Sequence, residues 1–425
     1  MRTRNILIFW APLAATWLMM GLEGPYIAAI VARMPDAAFN LAAYGIAFSI
    51  AWIVEAPIMM VLTASNALVR DRDSLHALRR FTYTLNAALT LVLVVIALPP
   101  VFGALARLMG LPAEIARLAH LATAVVIPWP ASICYRRFYQ GLLVRAGLTR
   151  RVAYGTVVRL GSMSLTAAAL AWLSPLPGAA IGGCALTAGV VAEAAASRWM
   201  SWHIVGTLDA TARPTDQPPL TTRDIVRFYY PLALTSVLSL ITLPLITFFM
   251  GHSRRPIESL AVLPVINAFV FLFRSGAFAY QEVGVALAGV RREHAAEVRR
   301  VSHLLGGAAS ALMAIVALTP LADVWFATIS GLTPEMTAFA VTPVRILLLM
   351  PALEYLLQTQ RAFLILARRT RVVTIGTGVE AAGISLVLVL CVAGLDLVGA
   401  VAATTAITAG RLGANLFFHR ALDAA

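Results

Sequence analysis

The chain has 425 residues, is 60% hydrophobic and only 12% charged, and carries a formal net charge of +13. Soluble proteins are about a quarter charged, so this composition belongs in a bilayer, and at roughly 20 apolar residues per crossing it accommodates about a dozen spans. All 33 basic residues are arginine, which excludes the lysine of a P-loop and Schiff-base chemistry; the basic excess fits positive-inside loops rather than a nucleic-acid surface.

In chain order, apolar runs near 6–32, 40–66, 81–104, 117–140, 152–174, 178–204, 226–250, 258–287, 302–325, 338–363, 373–394 and 397–418 predict twelve membrane helices. The loops sort by charge. Arg70, Arg72, Arg79 and Arg80 follow the second run, and Arg145, Arg150 and Arg151 follow the fourth. Arg291, Arg292, Arg299 and Arg300 follow the eighth, and Arg361 at the end of the tenth is followed by Arg368, Arg369 and Arg371. The intervening loops hold only Arg33, Arg107, Arg117, Arg254 and Arg255. Both termini are therefore expected on the cytoplasmic side. The opening segment has the basic start and apolar stretch of a signal peptide, yet it is expected to remain a span because it has a counterpart in the second half.

That counterpart belongs to a duplication. "FWAPLAATWLMMGLEGPYI" from Phe9 aligns with "FYYPLALTSVLSLITLPLI" from Phe228, and Pro25 and Pro244 keep the same offset of 219. "GLPAEIARLA" from Gly110 aligns with "GLTPEMTAFA" from Gly331 at an offset of 221, shared by Pro130/Pro351, Thr149/Thr370, Arg150/Arg371 and the Thr-Ala-Gly runs at 187 and 408. A near-constant offset over six spans is an internal repeat. Six is even, so both copies insert in the same sense, and the expected fold is an all-α polytopic membrane protein: two six-helix bundles related by a pseudo-twofold axis along the membrane normal. The lobes are residues 1–205 and 223–425, joined by a polar cytoplasmic linker over 206–222.

The charges inside the runs include twelve well within the spans: Arg136, Arg137, Arg159, Arg274, Arg345 and Arg411, with Glu23, Glu55, Glu193, Glu282, Glu354 and Glu380. One charge at the bilayer centre costs about 2.5–3.5 kcal/mol, so these must face the bundle interior or a wet cavity. Asn267, Arg274 and Gln281 recur every seven residues, and Tyr44, Glu55 and Asn66 every eleven; either spacing keeps one helix face. Glu354, Gln358 and Arg361 on the tenth run, and Thr404, Arg411 and Asn415 on the twelfth, form similar stripes. Arg274 and Arg345, flanked by Asn267, Gln281 and Arg411, are expected to bind an anion, since guanidinium recognises carboxylate or phosphate in a planar fork; the alternative is a structural ion pair such as Arg274 with Glu282. Arg345 and Glu354 are nine residues apart, about 180° around an ideal helix, so each is expected to serve a different partner. Arg159 and Glu380 occupy equivalent places in the two halves and either pair across them or each pair locally. Glu23 and Glu55, each followed two residues later by proline, are expected to balance these charges or couple to protons or a monovalent cation, with Glu282, Glu380 and Arg159 as further charge-balancing groups. Arg136 and Arg137 are expected to snorkel toward the cytoplasmic interface. Cys134, Cys184 and Cys391 sit singly in apolar runs, with no metal spacing. There is no GxSxG, HExxH or glycine-rich phosphate loop, so neither an enzyme nor a cofactor is expected.

Twelve spans in two repeats with a polar mid-chain linker, and "RRFYQGLLVRAGLTRRV" at 136–152, resemble the multidrug/oligosaccharidyl-lipid/polysaccharide (MOP) flippase superfamily, to which MATE transporters are related. Within it, "AAYGIAFSIAWIVEAPIM" at 42–59, "FYYPLAL" at 228–234 and "VTPVRILLLMP" at 341–351 are similar to the progressive ankylosis (ANK) protein family. The resemblance implies export of a small organic anion, such as citrate, a nucleotide or a pyrophosphate-like species, by alternating access, with Arg345 the matched residue. The alternatives are a lipid-linked oligosaccharide flippase and proton-coupled efflux of organic cations. All-arginine usage and short tails suggest a bacterial relative, for which an inner-membrane location is expected; a monomer is expected as well.

Overall fold

A backbone amide in hydrocarbon finds no water, so each apolar run must satisfy its own N–H and C=O groups by winding into a helix. The computed structural model describes residues 3–31, 33–109, 111–213, 218–289, 293–330 and 332–423, and these are helical nearly throughout. Arg291, Arg292, Gly110, Gly331 and part of the linker (214–217) lie outside the described residues. Among the described residues the one strand-like pairing is an isolated bridge between Arg254 and Val398.

Twelve long helices follow in chain order among the described residues. The first is Thr3–Val31. The second runs in three pieces, Ala37–Glu55, a 3-10 turn Ala56–Met60, and Val61–Leu68. The third is Arg72–Ala97; the fourth is Ala113–Val125 continued as Pro128–Arg145; the fifth and sixth are Thr149–Leu173 and Gly178–Met200. The seventh to ninth are Thr222–Gly251, Pro256–Leu287 and Ala295–Leu318. The tenth is Pro334–Ile346 continued as Met350–Leu366, the eleventh Thr370–Val389 widens into a π turn Leu390–Gly394, and the twelfth is Gly399–Asp423. Ten helices among the described residues are long and apolar enough to cross a membrane by length and composition. The first and twelfth are not among those ten; the twelfth is diluted by Thr404, Thr405, Thr408, Arg411 and Asn415.

Two helices differ from expectation in register. The third begins at Arg72 instead of 81, and the ninth at Ala295 instead of 302. Polar first turns hide such starts from an apolarity reading. At the third helix the start is fixed by a reciprocal capping box: the Ser74 N–H donates to Asp71 Oδ1 (2.9 Å) and the Asp71 N–H to Ser74 Oγ (3.0 Å). Prolines set the other ends, at Pro99-Pro100 after the third helix and Pro320 after the ninth.

The fourth and tenth helices break at equivalent places, after Val125 and after Ile346. In the tenth, Pro351 offers no N–H and its ring would collide with the carbonyl of Leu347. Arg345 therefore ends one helical piece while Glu354 lies in the next.

By contacts the chain divides into two compact units: Met1–Leu18 with Leu234–Ala425, and Met19–Ala233. Both divisions fall within the first and seventh helices, the pair carrying the Phe-x-x-Pro-Leu-Ala repeat. The core of the unit Met19–Ala233 gathers Ile27, Tyr44, Phe102, Leu118 and Met163. The other unit packs Phe269, Met313, Phe326, Val344 and Met350 together. Small residues set the closest helix approaches, as is usual where lipid supplies no hydrophobic drive between helices. A Cβ on Gly141 would lie 2.5 Å from both Leu62 O and Ser65 Cβ; in the other unit, one on Gly284 would lie 2.5 Å from the Cβ of Ala362. Ala362 stands where the repeat places Gly141, so the same narrow seam is built with the glycine on the opposite helix.

Candidate buried ion-pair networks

In the unit holding the C-terminal helices, the eighth, tenth, eleventh and twelfth helices bring charge together inside. Glu354, with a side chain 1% exposed, lies between two guanidiniums: Arg274 Nη2 at 3.2 Å and Arg411 Nη1 at 3.3 Å. Gln358, one turn on, donates Nε2–H to Glu354 Oε1 at 2.9 Å. Arg411 continues the chain to Glu380 at 3.0 Å, and Arg361 stands 4.0 Å from Glu380 while donating to Thr377 Oγ1 at 2.9 Å. Asn415 donates to the Arg411 and Leu353 carbonyls, joining the twelfth helix to the tenth.

Three guanidiniums therefore share two carboxylates, leaving one positive charge in surplus among the described residues. Isolated, such charges would be expelled; a pair repays its desolvation only when geometry is good and further hydrogen bonds satisfy the remaining polar atoms. Alternating sign and the Gln358 and Thr377 side chains supply part of this, while the Nε atoms of Arg274, Arg361 and Arg411 stay buried without a hydrogen-bond partner. Arg274 is the open end. Its side chain is 25% exposed against 12% or less for the other four. Its guanidinium carbon lies 5.0 Å from the ring centre of Phe278, one turn along the same helix, and its Nε is buried without a hydrogen-bond partner.

In the unit Met19–Ala233, Glu193 on the sixth helix is the hub. It accepts from Arg136, from Gln140 Nε2 at 3.0 Å and from Thr156 Oγ1 at 3.4 Å, and Arg159 Nη1 lies 3.5 Å away. Arg159 also pairs with Glu23. The expectation that Arg136 snorkels is overturned: it is 1% exposed and bound to Glu193. Its partner stands 57 residues along the sequence, too far for helical spacing to reveal. Arg137, also buried, donates to Met59 Sδ at 3.3 Å. Glu55 is buried where the second helix tightens into its 3-10 turn, within the electrostatic reach of Arg137, Arg136 and Arg159.

The two networks use repeat-equivalent positions with different charge. Thr156 and Thr377, Gln140 and Arg361, and Arg159 and Glu380 are each separated by the offset of 221. Where one unit has an arginine on the fifth helix and a glutamate on the sixth, the other has a glutamate on the eleventh and an arginine on the twelfth. Arg159 and Glu380 each find partners within their own unit.

Of the residues singled out from sequence, Arg274, Arg411 and Glu380 share one network and Glu23 and Arg159 the other. Arg345 is exposed at the end of its helical piece and forms no ion pair among the described residues; Asn267 is exposed as well. Gln281 and Glu282 are buried side by side. Sequence reasoning left Glu193, Gln140, Thr156 and Thr377 without a role. The signal that could have found them was the repeat itself, because two threonines keep the repeat offset beside in-span charges.

The fold is that of MATE transporters. The chain is similar to a multidrug resistance MATE family transporter of the MOP superfamily in an outward-facing conformation, at TM-score 0.79 and 16% identity, covering 99% of this chain and 96% of that one. It is similar to a mutant of the Vibrio cholerae MATE transporter VcmN at TM-score 0.79 and 13% identity, covering 100% and 97%. A MOP superfamily transporter from Pyrococcus furiosus, described as having a binding pocket of reverse polarity that suggests a different function, is similar at TM-score 0.75 and 15% identity, covering 99% and 96%. No protein-family model matches the sequence, and no curated protein matches it.

Proposed function

We propose that the chain is a secondary transporter, not an enzyme, that moves a small organic anion across the membrane by alternating access of two six-helix lobes, residues 1–205 and 223–425 with 206–222 as the linker. The carrying observation is Arg274: a guanidinium at the accessible end of a buried network with one more arginine than carboxylates. An incoming carboxylate or phosphate would meet the exposed part of the Arg274 side chain there and neutralise the surplus charge. Exposed Arg345 supplies a second cation for the same anion, and Asn267, Gln281 and Arg411 complete the lining.

The fold likeness supports transport, and the resemblance of "VTPVRILLLMP" to the ANK family supports citrate-, nucleotide- or pyrophosphate-like cargo. The Pyrococcus furiosus protein is described as reversing pocket polarity, so the fold itself does not fix the sign of the cargo. Glu23 and Glu55 are placed as coupling or charge-balancing groups: a proton on Glu23 would cancel one of the two carboxylates facing Arg159, leaving Glu193 as its partner. The second reading, proton-coupled efflux of organic cations, is favoured by the likeness to a multidrug resistance MATE transporter.

One assay separates the two. Protein reconstituted in liposomes is given labelled citrate, a nucleotide, pyrophosphate or a cationic dye, with and without a pH gradient. Anion flux is expected from the parent. Arg274→Gln and Arg345→Gln should each reduce it about tenfold or more, since a hydrogen bond to a charged group is worth about 1.5–3 kcal/mol. Movement of the dye alone, or anion flux at the parent rate in both variants, overturns the anion reading.

A further inference from the structure

The unit Met19–Ala233 holds a second cationic feature, unconnected to the buried networks. A cleft of about 910 Å³ opens between the third, fourth and sixth helices, and His76, Arg79, Arg80 and Arg198 line its basic side. Tyr83, Tyr135 and Tyr139 form its wall, with the Tyr83 and Tyr139 hydroxyls 3.0 Å apart. It shares Tyr135 and Arg198 with an apolar groove of about 660 Å³ bounded by Ala131, Val191, Ala195 and Trp199. One end of the combined site is basic and the other is greasy.

The basic end is built. Arg198 stands between two aromatic faces, 5.2 Å from the ring centre of Tyr139 and 5.1 Å from that of Trp202, and its Nη1 is buried without a hydrogen-bond partner. Arg79 donates to His76 Nδ1 at 2.8 Å, which makes that nitrogen the acceptor and leaves Nε2–H to donate to Asp209 Oδ1 at 2.8 Å. The neighbouring carboxylate is thereby occupied by the histidine N–H, and the three arginines keep their charge for a ligand. The position is the end of the unit where arginine-rich turns are tied together: Arg145 donates to Asn66 O, Arg151 to Met200 O, and the Arg72 N–H to Thr211 O.

The apolar end points away from those turns. Val191 lies seven residues before Arg198 on the sixth helix, about 10 Å deeper at 1.5 Å per residue. Polar groups along the groove are already satisfied: Asn86 donates to Ala131 O, and Ser132 to Pro128 O. Trp199 and Trp202 are 77% and 63% exposed, and tryptophans so placed sit at the headgroup level of a bilayer.

We propose that this cleft binds one anionic phospholipid. Its phosphate lies among Arg79, Arg80 and Arg198 within reach of the tyrosine hydroxyls, and one acyl chain lies along the groove between the fourth and sixth helices. A soluble phosphate would use only the basic end, and a zwitterionic lipid would bring its own cation to the arginines. The groove is lined by the outer faces of the two helices whose inner faces carry Arg136, Gln140 and Glu193, so an occupied groove braces the elements that hold that network.

The test is native mass spectrometry of the full chain in detergent, titrated with phosphatidylglycerol or phosphatidylcholine of the same chain length, with inorganic phosphate as competitor. Phosphatidylglycerol should bind at least tenfold more tightly. Arg198→Gln, and separately the exposed Arg80→Gln, should each weaken it about fivefold, in line with the attraction of one basic side chain to an anionic lipid. Trp199→Ala should weaken both lipids alike. Equal binding of the two lipids, an unchanged preference in both arginine variants, or displacement of phosphatidylglycerol by phosphate at equal concentration would overturn the assignment.

Discussion

Glu354→Gln tests the network around Arg274 directly. The substitution keeps the side-chain volume and one acceptor oxygen but removes the carboxylate that lies 3.2 Å from Arg274 and 3.3 Å from Arg411. Three guanidiniums are then left with Glu380 alone, and the buried surplus rises from one positive charge to two. Breaking a buried pair by removing one partner costs about 3–5 kcal/mol; the retained acceptor places this variant near the lower figure. The parent and variant are compared in mixed micelles by tryptophan fluorescence as denaturant is added. Arg411→Gln, made alone and together with Glu354→Gln, completes a double-mutant cycle. The double variant restores the original surplus, so the two losses should fall short of additivity by roughly 1–3 kcal/mol. A single variant within about 0.5 kcal/mol of the parent, with an additive double, would show that Glu354 is not a charged partner of these arginines.

Three further outcomes follow from the packing and the second network. Gly141→Val forces atoms into Leu62 O and Ser65 Cβ and should cost about 1–3 kcal/mol by overpacking, whereas Gly45→Ala, which meets nothing within 4 Å, should be neutral or stabilise by up to about 1 kcal/mol; thermal unfolding of both variants checks the contrast. Asp71→Ala removes the cap of the third helix and should cost about 1 kcal/mol, read as faster hydrogen exchange at residues 72–75. Glu193→Gln strips the acid that faces Arg136 and Arg159 and should destabilise by about 3–5 kcal/mol; unfolding at the parent denaturant concentration would contradict the pairing.

Proline marks the helix breaks within the chain's own residue order. Pro351 and Pro130 share one repeat offset, and the helices they belong to are interrupted one turn before each. Apolar run length gave the long helices because satisfying backbone groups without water is a local requirement, met residue by residue along the chain. It failed at Arg72–Arg80 and Ala295–Arg300, where the helix continues into charged sequence that an apolarity count rejects. The stripes Glu354/Gln358 and Arg411/Asn415 were legible for the same local reason: helical spacing fixes which side chains share a face.

Partnership was not local. Arg136 reads as an interfacial arginine until Glu193 is seen beside it, and Arg345 and Arg274 read as equals until one is found exposed and the other seated on Glu354. The sequence alone placed a dozen charges within long apolar helices and showed that the second half repeats the first. Only the tertiary structure decided which acid meets which base and which arginine of the network keeps the most exposed side chain. The physical reason is that each residue turns a helix by about 100°, while ion pairing acts over a few ångströms between helices whose rotation and spacing are set by contacts such as Gly141 on Ser65 and Gly284 on Ala362.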